Sequence, residues 1–185
     1  MRVQSFSHVG ITVSDFNRFV QFYWEVFGCP LVGVSDAPPE RVRSFFGVGH
    51  EHEAPRCKIG WVRVPGGATL EIFGFDPQLP PERIPWNRVG QTHFSFNVRN
   101  VHAWHAHLQA RGVEIVSQPE QSPRGHWFFF VRDFDGNLIE MIDLRHMYYV
   151  LGWLGPLGGW LFRRGMYKDY YATRVRLPEP SDTVR

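Results

Sequence analysis

From residue 8 the chain reads HVGITV, in which Val9, Ile11 and Val13 alternate with His8, Gly10 and Thr12. A period of two puts the apolar residues on one face of a strand and the others on the opposite face. After Asp15 the period lengthens. Phe16, Phe19, Val20, Tyr23 and Phe27 fall at i, i+3, i+4, i+7 and i+11, one face of a helix that Gly28 closes. The same order returns from residue 93. HFSFNV alternates, then Val101, Trp104 and Leu108 mark a helical face and Gly112 ends it. With His8 aligned on His93, Val13 meets Val98 and Asp15 meets Asn100. Asp and Asn suit the cap position, where a short side-chain oxygen accepts an orphan N–H of the first turn.

Strand-like runs follow each helix, around 31–35, 57–64 and 68–75 in the first half and around 113–117, 126–132 and 137–143 in the second. PGG (65–67) and DFDG (133–136) mark hairpin turns. Each half therefore reads β-α-β-β-β, an internal duplication. The expected organisation is a first module over 1–77, a Pro-rich polar linker over 78–91, a second module over 92–145 and an unpaired extension over 146–185. Residues 36–56 read as a long loop or a short helix plus loop beside a site. The extension mixes aromatics with Arg163, Arg164 and Lys168 and reads as partly helical, packing on the domain or on a second subunit. Its end, RLPEPSDTVR, has a disorder-type composition.

Composition narrows the class. The 185 residues are 43% hydrophobic and 21% charged, values of an ordinary folded domain. Aromatics reach 16%, which predicts a core built around Phe and Trp. A net charge of +2 gives no footprint for nucleic acid. Two cysteines, Cys29 and Cys57, give no disulfide framework, and a reduced, cytoplasmic chain is expected. The first residues lack the apolar stretch of a secretory signal. The most apolar run, MYYVLGWLGPLGGWLF (147–162), is broken by Gly and Pro and too short to form a membrane span; it reads as an interfacial or partner-contacting segment.

The acids carry the chemistry. Glu71 lies in TLEIFGF and Glu140 in NLIEMIDL, the last strand of each half. Alternation puts each opposite its apolar neighbours, as it does His8 and His93 in the opening strands. Paired by a pseudo-two-fold, the halves would bring His8, Glu71, His93 and Glu140 into one cleft. Buried carboxylates are paired, protonated or metal-bound. Two imidazoles and two carboxylates suit a first-row divalent ion, with about two octahedral positions left for water or substrate.

The stretches HVGITVSDFNRFVQFYWEVFG, GATLEIFGF, THFSFNVRNV and FFFVRDFDGNLIEMID, within residues 8–143, resemble the vicinal oxygen chelate superfamily, the glyoxalase, bleomycin-resistance and extradiol-dioxygenase group. The resemblance implies an α+β fold: two paired βαβββ modules forming a curved mixed sheet, a half-barrel around a cleft, here with a C-terminal extension. It places the metal ligands on His8, Glu71, His93 and Glu140. It implies one divalent transition metal per site (Ni, Co, Zn, Mn or Fe), a small-molecule substrate with adjacent oxygens, and a homodimer. The implied activity is that of a metal-dependent lyase or isomerase, with Glu140 as base and Glu71 second. The alternatives are an Fe(II) extradiol-type dioxygenase, which uses a His-His-Glu set, and a non-catalytic binding or resistance protein. Two departures stand out. DFDG replaces the DPDG common in the group, a change in the turn that bears little on chemistry, and its small lyases do not usually carry an extension like residues 146–185.

Other polar residues read differently. Arg124 and His126, leading into a strand, are candidate substrate contacts. Thr12, Ser95 and Asn97 share faces with the histidines and are candidate donors to them. GHEHE (49–53) lacks the i, i+4 histidine pair of a helical zinc motif and reads as a solvated or lid-forming loop. His102, His105 and His107 read as a plain surface helix.

Overall fold

The computed structural model describes residues 3–172; the C-terminal stretch RLPEPSDTVR lies outside them. The first half runs β1 (His8–Thr12), α1 (Phe16–Phe27), β2 (Leu31–Ala37), α2 (Pro39–Phe46), β3 (Arg56–Arg63) and β4 (Thr69–Asp76). The second runs β5 (Phe94–Asn97), α3 (Val101–Ala110), β6 (Glu114–Ile115), β7 (Glu120–Gln121), β8 (Trp127–Arg132) and β9 (Leu138–Ile142). Two short helices, α4 (Met147–Trp153) and α5 (Gly155–Arg164), and a 3-10 turn (Lys168–Tyr171) follow.

The two sheets repeat one topology. The first has the order β1-β4-β3-β2 and the second β5-β9-β8-β6, with β7 also on β8. In each, the opening strand lies parallel to the last (β1 on β4, β5 on β9) and the remaining pairs are antiparallel. This is an open α+β arrangement of two mixed sheets.

The caps follow the sequence. Asp15 accepts the N–H of Arg18 and Gly28 closes α1 in the left-handed conformation. Asn100 accepts the N–H of Ala103. The strand predicted over 113–117 survives only as Glu114–Ile115. Val116 and Ser117 both donate to the Phe130 carbonyl, so the ladder slips and resumes at β7. Within 36–56 the helical alternative is realised as α2, with Pro39 at its start and Gly47 at its end.

One apolar core joins the halves. Phe19, Tyr23, Ile72, Leu108, Phe129, Ile139 and Met141 are all fully buried in it. α1 is the bridge. Phe27 packs on Phe96 at 5.2 Å between ring centroids, and Phe19 and Phe22 edge onto Phe134. Phe16 lies so close over β3 that a Cβ at Gly60 would sit 2.6 Å from its ring, so only glycine fits there. The aromatic core is built from Phe and Tyr. Trp104 and Trp127 pack against its margin, as expected of Trp, while Trp24, Trp86, Trp153 and Trp160 are exposed. Cys29 and Cys57 are free and buried, and burial pushes both thiols up to about 11. Among the described residues no helix is long and apolar enough to cross a membrane.

Candidate metal centre

Parallel pairing of β1 with β4 sets Gly10 opposite Glu71, and β3 sets Trp61 opposite Glu71 on the other side. Side chains of one strand parity therefore share the face away from α1. There His8 Nε2 lies 3.1 Å from Glu71 Oε2, and the edge of the imidazole meets Trp61 at 5.1 Å. The second half repeats this. Ser95 and Phe130 flank Glu140 in the ladder, His93 Nε2 lies 3.7 Å from Glu140 Oε2, and the ring meets Phe130 edge-on at 5.3 Å. All four polar side chains are half-buried.

The repetition extends one residue upstream. Ser7 Oγ lies 3.1 Å from His8 Nδ1, and Thr92 Oγ1 lies 3.0 Å from His93 Nδ1. For Nε2 to offer a lone pair to a cation, Nδ1 must carry the proton and donate it to that hydroxyl. Thr12, Ser95 and Asn97 do not make this contact. The Ser95 hydroxyl donates to the Glu140 carbonyl, and Asn97 accepts the N–H of Leu144. The signal was present in the sequence, where SH and TH open the two repeats.

Adjacent octahedral ligands with bonds of about 2.1 Å sit about 3 Å apart. The His8–Glu71 spacing fits that value and the His93–Glu140 spacing is somewhat wider. The donor chemistry, two imidazoles and two carboxylates, fits a first-row divalent ion. Each pair would supply half of the expected four-ligand set. Among the described residues of one chain, no three His, Cys, Asp or Glu side chains gather closely enough to hold an ion. The four residues are expected to converge, either within one chain or between two; within one chain the described residues form two separate His–Glu pairs. The core joins the halves through α1, with one His–Glu pair on each sheet.

The half-sites have different surroundings. Over the first sheet, Val42 and Phe46 of α2 pack on Ile59, Phe73 and Phe75, on the same strand face as Glu71. Among the described residues, no helix covers the second sheet in this way. Instead the linker returns and sets Trp86 against His93 (5.6 Å) and Phe130 (5.1 Å). A cleft of about 210 Å³ beside it is lined by His93, Thr92, Gly10, Thr12 and Ile84. Trp86 was passed over as linker; a single aromatic in a Pro-rich polar stretch was the available clue.

The remaining candidates lie elsewhere. Arg124 sits in the exposed turn before β8, and the His126 ring is turned toward the Asp143 carbonyl at 3.3 Å. The side chains of His50, Glu51, His52 and Glu53 are exposed; their loop is held through backbone carbonyls, with Arg43 donating to those of His52 and Glu53. His105 is not a plain surface residue, since its Nε2 is buried without a hydrogen-bond partner and its ring edges onto Phe129. Phe134, the departure in DFDG, packs on Phe19 and Phe22 and lies under the Arg18 guanidinium at 4.3 Å.

A duplicated β-α-β-β-β fold with one His–Glu pair per repeat is the arrangement that the sequence pattern predicts. The chain belongs to the Glyoxalase/Bleomycin resistance protein/Dioxygenase superfamily, whose profile matches residues 5–141. Among curated proteins it is 28% identical over 146 residues to a 2-epi-5-epi-valiolone epimerase of Actinomyces sp., covering 74% of this chain and 78% of that one. It is 26% identical over 139 residues to a lactoylglutathione lyase of Arabidopsis thaliana, covering 75% of this chain and 44% of that protein's length. The fold matches a glyoxalase family protein of Bacillus cereus with a TM-score of 0.66 at 21% identity, over 77% of this chain and 95% of that one.

Proposed function

We propose that the protein is a divalent-metal-dependent lyase or isomerase acting on a small substrate with adjacent oxygens, such as a 2-oxo or α-hydroxycarbonyl compound. The supporting observation is the twin arrangement: at equivalent places in both repeats, a hydroxyl meets Nδ1 of a histidine whose Nε2 faces a glutamate. One relative is named a lyase and another an epimerase, and both names fit chemistry at a carbon next to a carbonyl.

His8, Glu71, His93 and Glu140 would hold the ion, which as a Lewis acid would stabilise the negative charge that develops on a substrate oxygen. Glu140 takes the proton from carbon, with Glu71 as the alternative base. Phe130 lies beside Glu140 in the ladder and Trp61 beside Glu71, so each carboxylate has an aromatic flank that keeps water from one side. Trp86 and Phe46 differ in size and approach, so the two flanks present unlike walls to a substrate. His8 Nε2 lies 3.1 Å from Glu71, so Glu71 would stand as a fourth ligand where a three-ligand iron site keeps a position open, which weighs against the dioxygenase alternative.

The experiment strips the protein with a chelator, titrates Ni, Co, Zn, Mn and Fe(II) by calorimetry, and follows proton exchange next to a carbonyl by NMR in heavy water. Glu140→Gln is expected to bind metal and lose exchange by about 100-fold or more. Exchange at the wild-type rate in that variant removes Glu140 as base, and an absence of binding by every ion removes the metal reading altogether.

A further inference from the structure

We infer that residues 147–171 dock the protein on an anionic lipid surface. This span carries α4, α5 and the 3-10 turn, and none of the three contains a buried residue. Large apolar side chains nonetheless dominate it. Trp153 is 87% exposed, Tyr170 is 84% exposed, and Leu157, Trp160, Leu161 and Phe162 are all exposed along α5. Leu157, Trp160 and Leu161 share one side of α5 while Phe162 projects from another, so the helix presents an exposed apolar side that the described domain does not cover. Such a helix is not the surface helix of its own domain; it belongs in a less polar medium.

Three observations select the medium. The first is residue type. Seven of the 25 residues are Trp or Tyr, the side chains that settle where an apolar phase meets water because ring and polar tip are satisfied together. The second is length. Ten residues of α5 rise about 15 Å, half of a hydrocarbon core of about 30 Å, so the segment lies in the boundary rather than across it. The third is charge. Arg163, Arg164 and Lys168 stand against the single acid Asp169, so the span carries three positive charges and one negative. The Arg164 guanidinium lies over the Trp160 ring at 4.5 Å, which puts cation and aromatic on the same patch. A second copy of this chain would meet that basic patch with an equally basic one. Lipid phosphates are the complementary partner. Tyr148 reaches the Pro65–Gly67 turn, so the segment is fastened to the body at its start and presents its length outward.

The test uses the full chain with large vesicles of phosphatidylcholine, alone or with about one third phosphatidylglycerol, read by co-sedimentation. Binding is expected to the anionic vesicles and to fall at least about tenfold on the neutral ones. Trp153→Ser with Trp160→Ser, and separately Arg163→Glu with Arg164→Glu, should each abolish it; all four residues are exposed, and circular dichroism checks that the fold is kept. Sedimentation velocity without lipid runs in parallel. Failure of the wild type to bind either vesicle overturns the inference. So does vesicle binding by the tryptophan variant at wild-type strength, or a wild-type oligomer that the tryptophan variant dissociates while vesicle binding stays absent, which would assign the patch to a second copy.

Discussion

At the scale of single residues, the tightest constraint is on the two imidazoles. A histidine that must present Nε2 needs its proton on Nδ1, and the hydroxyls of Ser7 and Thr92 are the groups placed to receive it. Replacing both with Ala leaves the rings free to adopt the other tautomer or to swing. The double variant is expected to bind divalent metal about 10- to 100-fold more weakly, the range for losing a partner of a ligating histidine. Thr92→Ser keeps the hydroxyl and should restore affinity in the Ser7-containing chain. Nitrogen NMR of the imidazoles in the metal-free protein reads the tautomer directly, a signal that a purely structural role would leave unmoved. Unchanged affinity together with an unchanged tautomer would remove both hydroxyls from the site. The four candidate ligands were legible because alternation assigns strand faces whatever the tertiary fold. Their hydroxyl partners were missed because a neighbour in sequence normally points to the opposite face of a strand. Here Ser7 and Thr92 precede the strands and escape that rule.

At the scale of elements, α1 is joined to the β8–β9 turn by polar contacts as well as aromatic ones. Tyr23, fully buried on α1, donates to Asp133 Oδ2 at 2.8 Å, while Asp133 Oδ1 accepts the N–H groups of Asp135 and Asn137. Asp135 in turn accepts from the Ser14 hydroxyl and backbone N–H at the start of the helix. Burial pushes the Asp133 carboxyl above its ordinary value, against the hydrogen bonds from Asn137 and Tyr23 that pull it down. A carboxyl that holds its proton more firmly folded than unfolded stabilises the fold below the ordinary carboxylate range. That contribution is lost as pH rises through the raised value. Tyr23→Phe deletes a bond that favours the carboxylate, so the folded value rises further and the loss extends to higher pH. The variant should be less stable than wild type by about 1.5–3 kcal/mol near neutrality, and the gap should narrow toward about pH 3.5, where the carboxyl is protonated in both. Urea denaturation at the two pH values measures it; an equal difference at both would break the link between Tyr23 and the Asp133 charge. The helix and its caps were legible because period and cap chemistry are local. The role of Phe134 was not, since nothing in DFDG reveals that the turn lands on Phe19, Phe22 and Arg18 of the other half. The same holds for α2, whose eight residues are too few for a periodic signal and whose Val42 and Phe46 find their partners only once the sheet exists.

At the scale of the whole molecule, one chain carries two His–Glu pairs, one on each sheet. The shared core fixes α1 between them, and no group of three ligands forms among the described residues. A closed two-fold dimer would complete the proposed site: His8 and Glu71 of one protomer would face His93 and Glu140 of its partner, and the symmetry would make two such sites. This arrangement has a consequence that pairing within a chain lacks. Take one variant with His8→Ala and Glu71→Ala and another with His93→Ala and Glu140→Ala. Alone, each spoils every site it enters and binds no metal at full affinity. Unfolded together in equal amounts and refolded, half of the dimers are mixed, and each mixed dimer joins the intact first half of one chain to the intact second half of the other. Bound metal should return to about one quarter of the wild-type level, and proton exchange with it. If the four ligands instead closed around an ion within a single chain, every chain in the mixture would carry a broken set and mixing would restore nothing. Recovery near one quarter therefore requires ligands from two chains, and its absence, with both variants folded and dimeric, rules the shared site out.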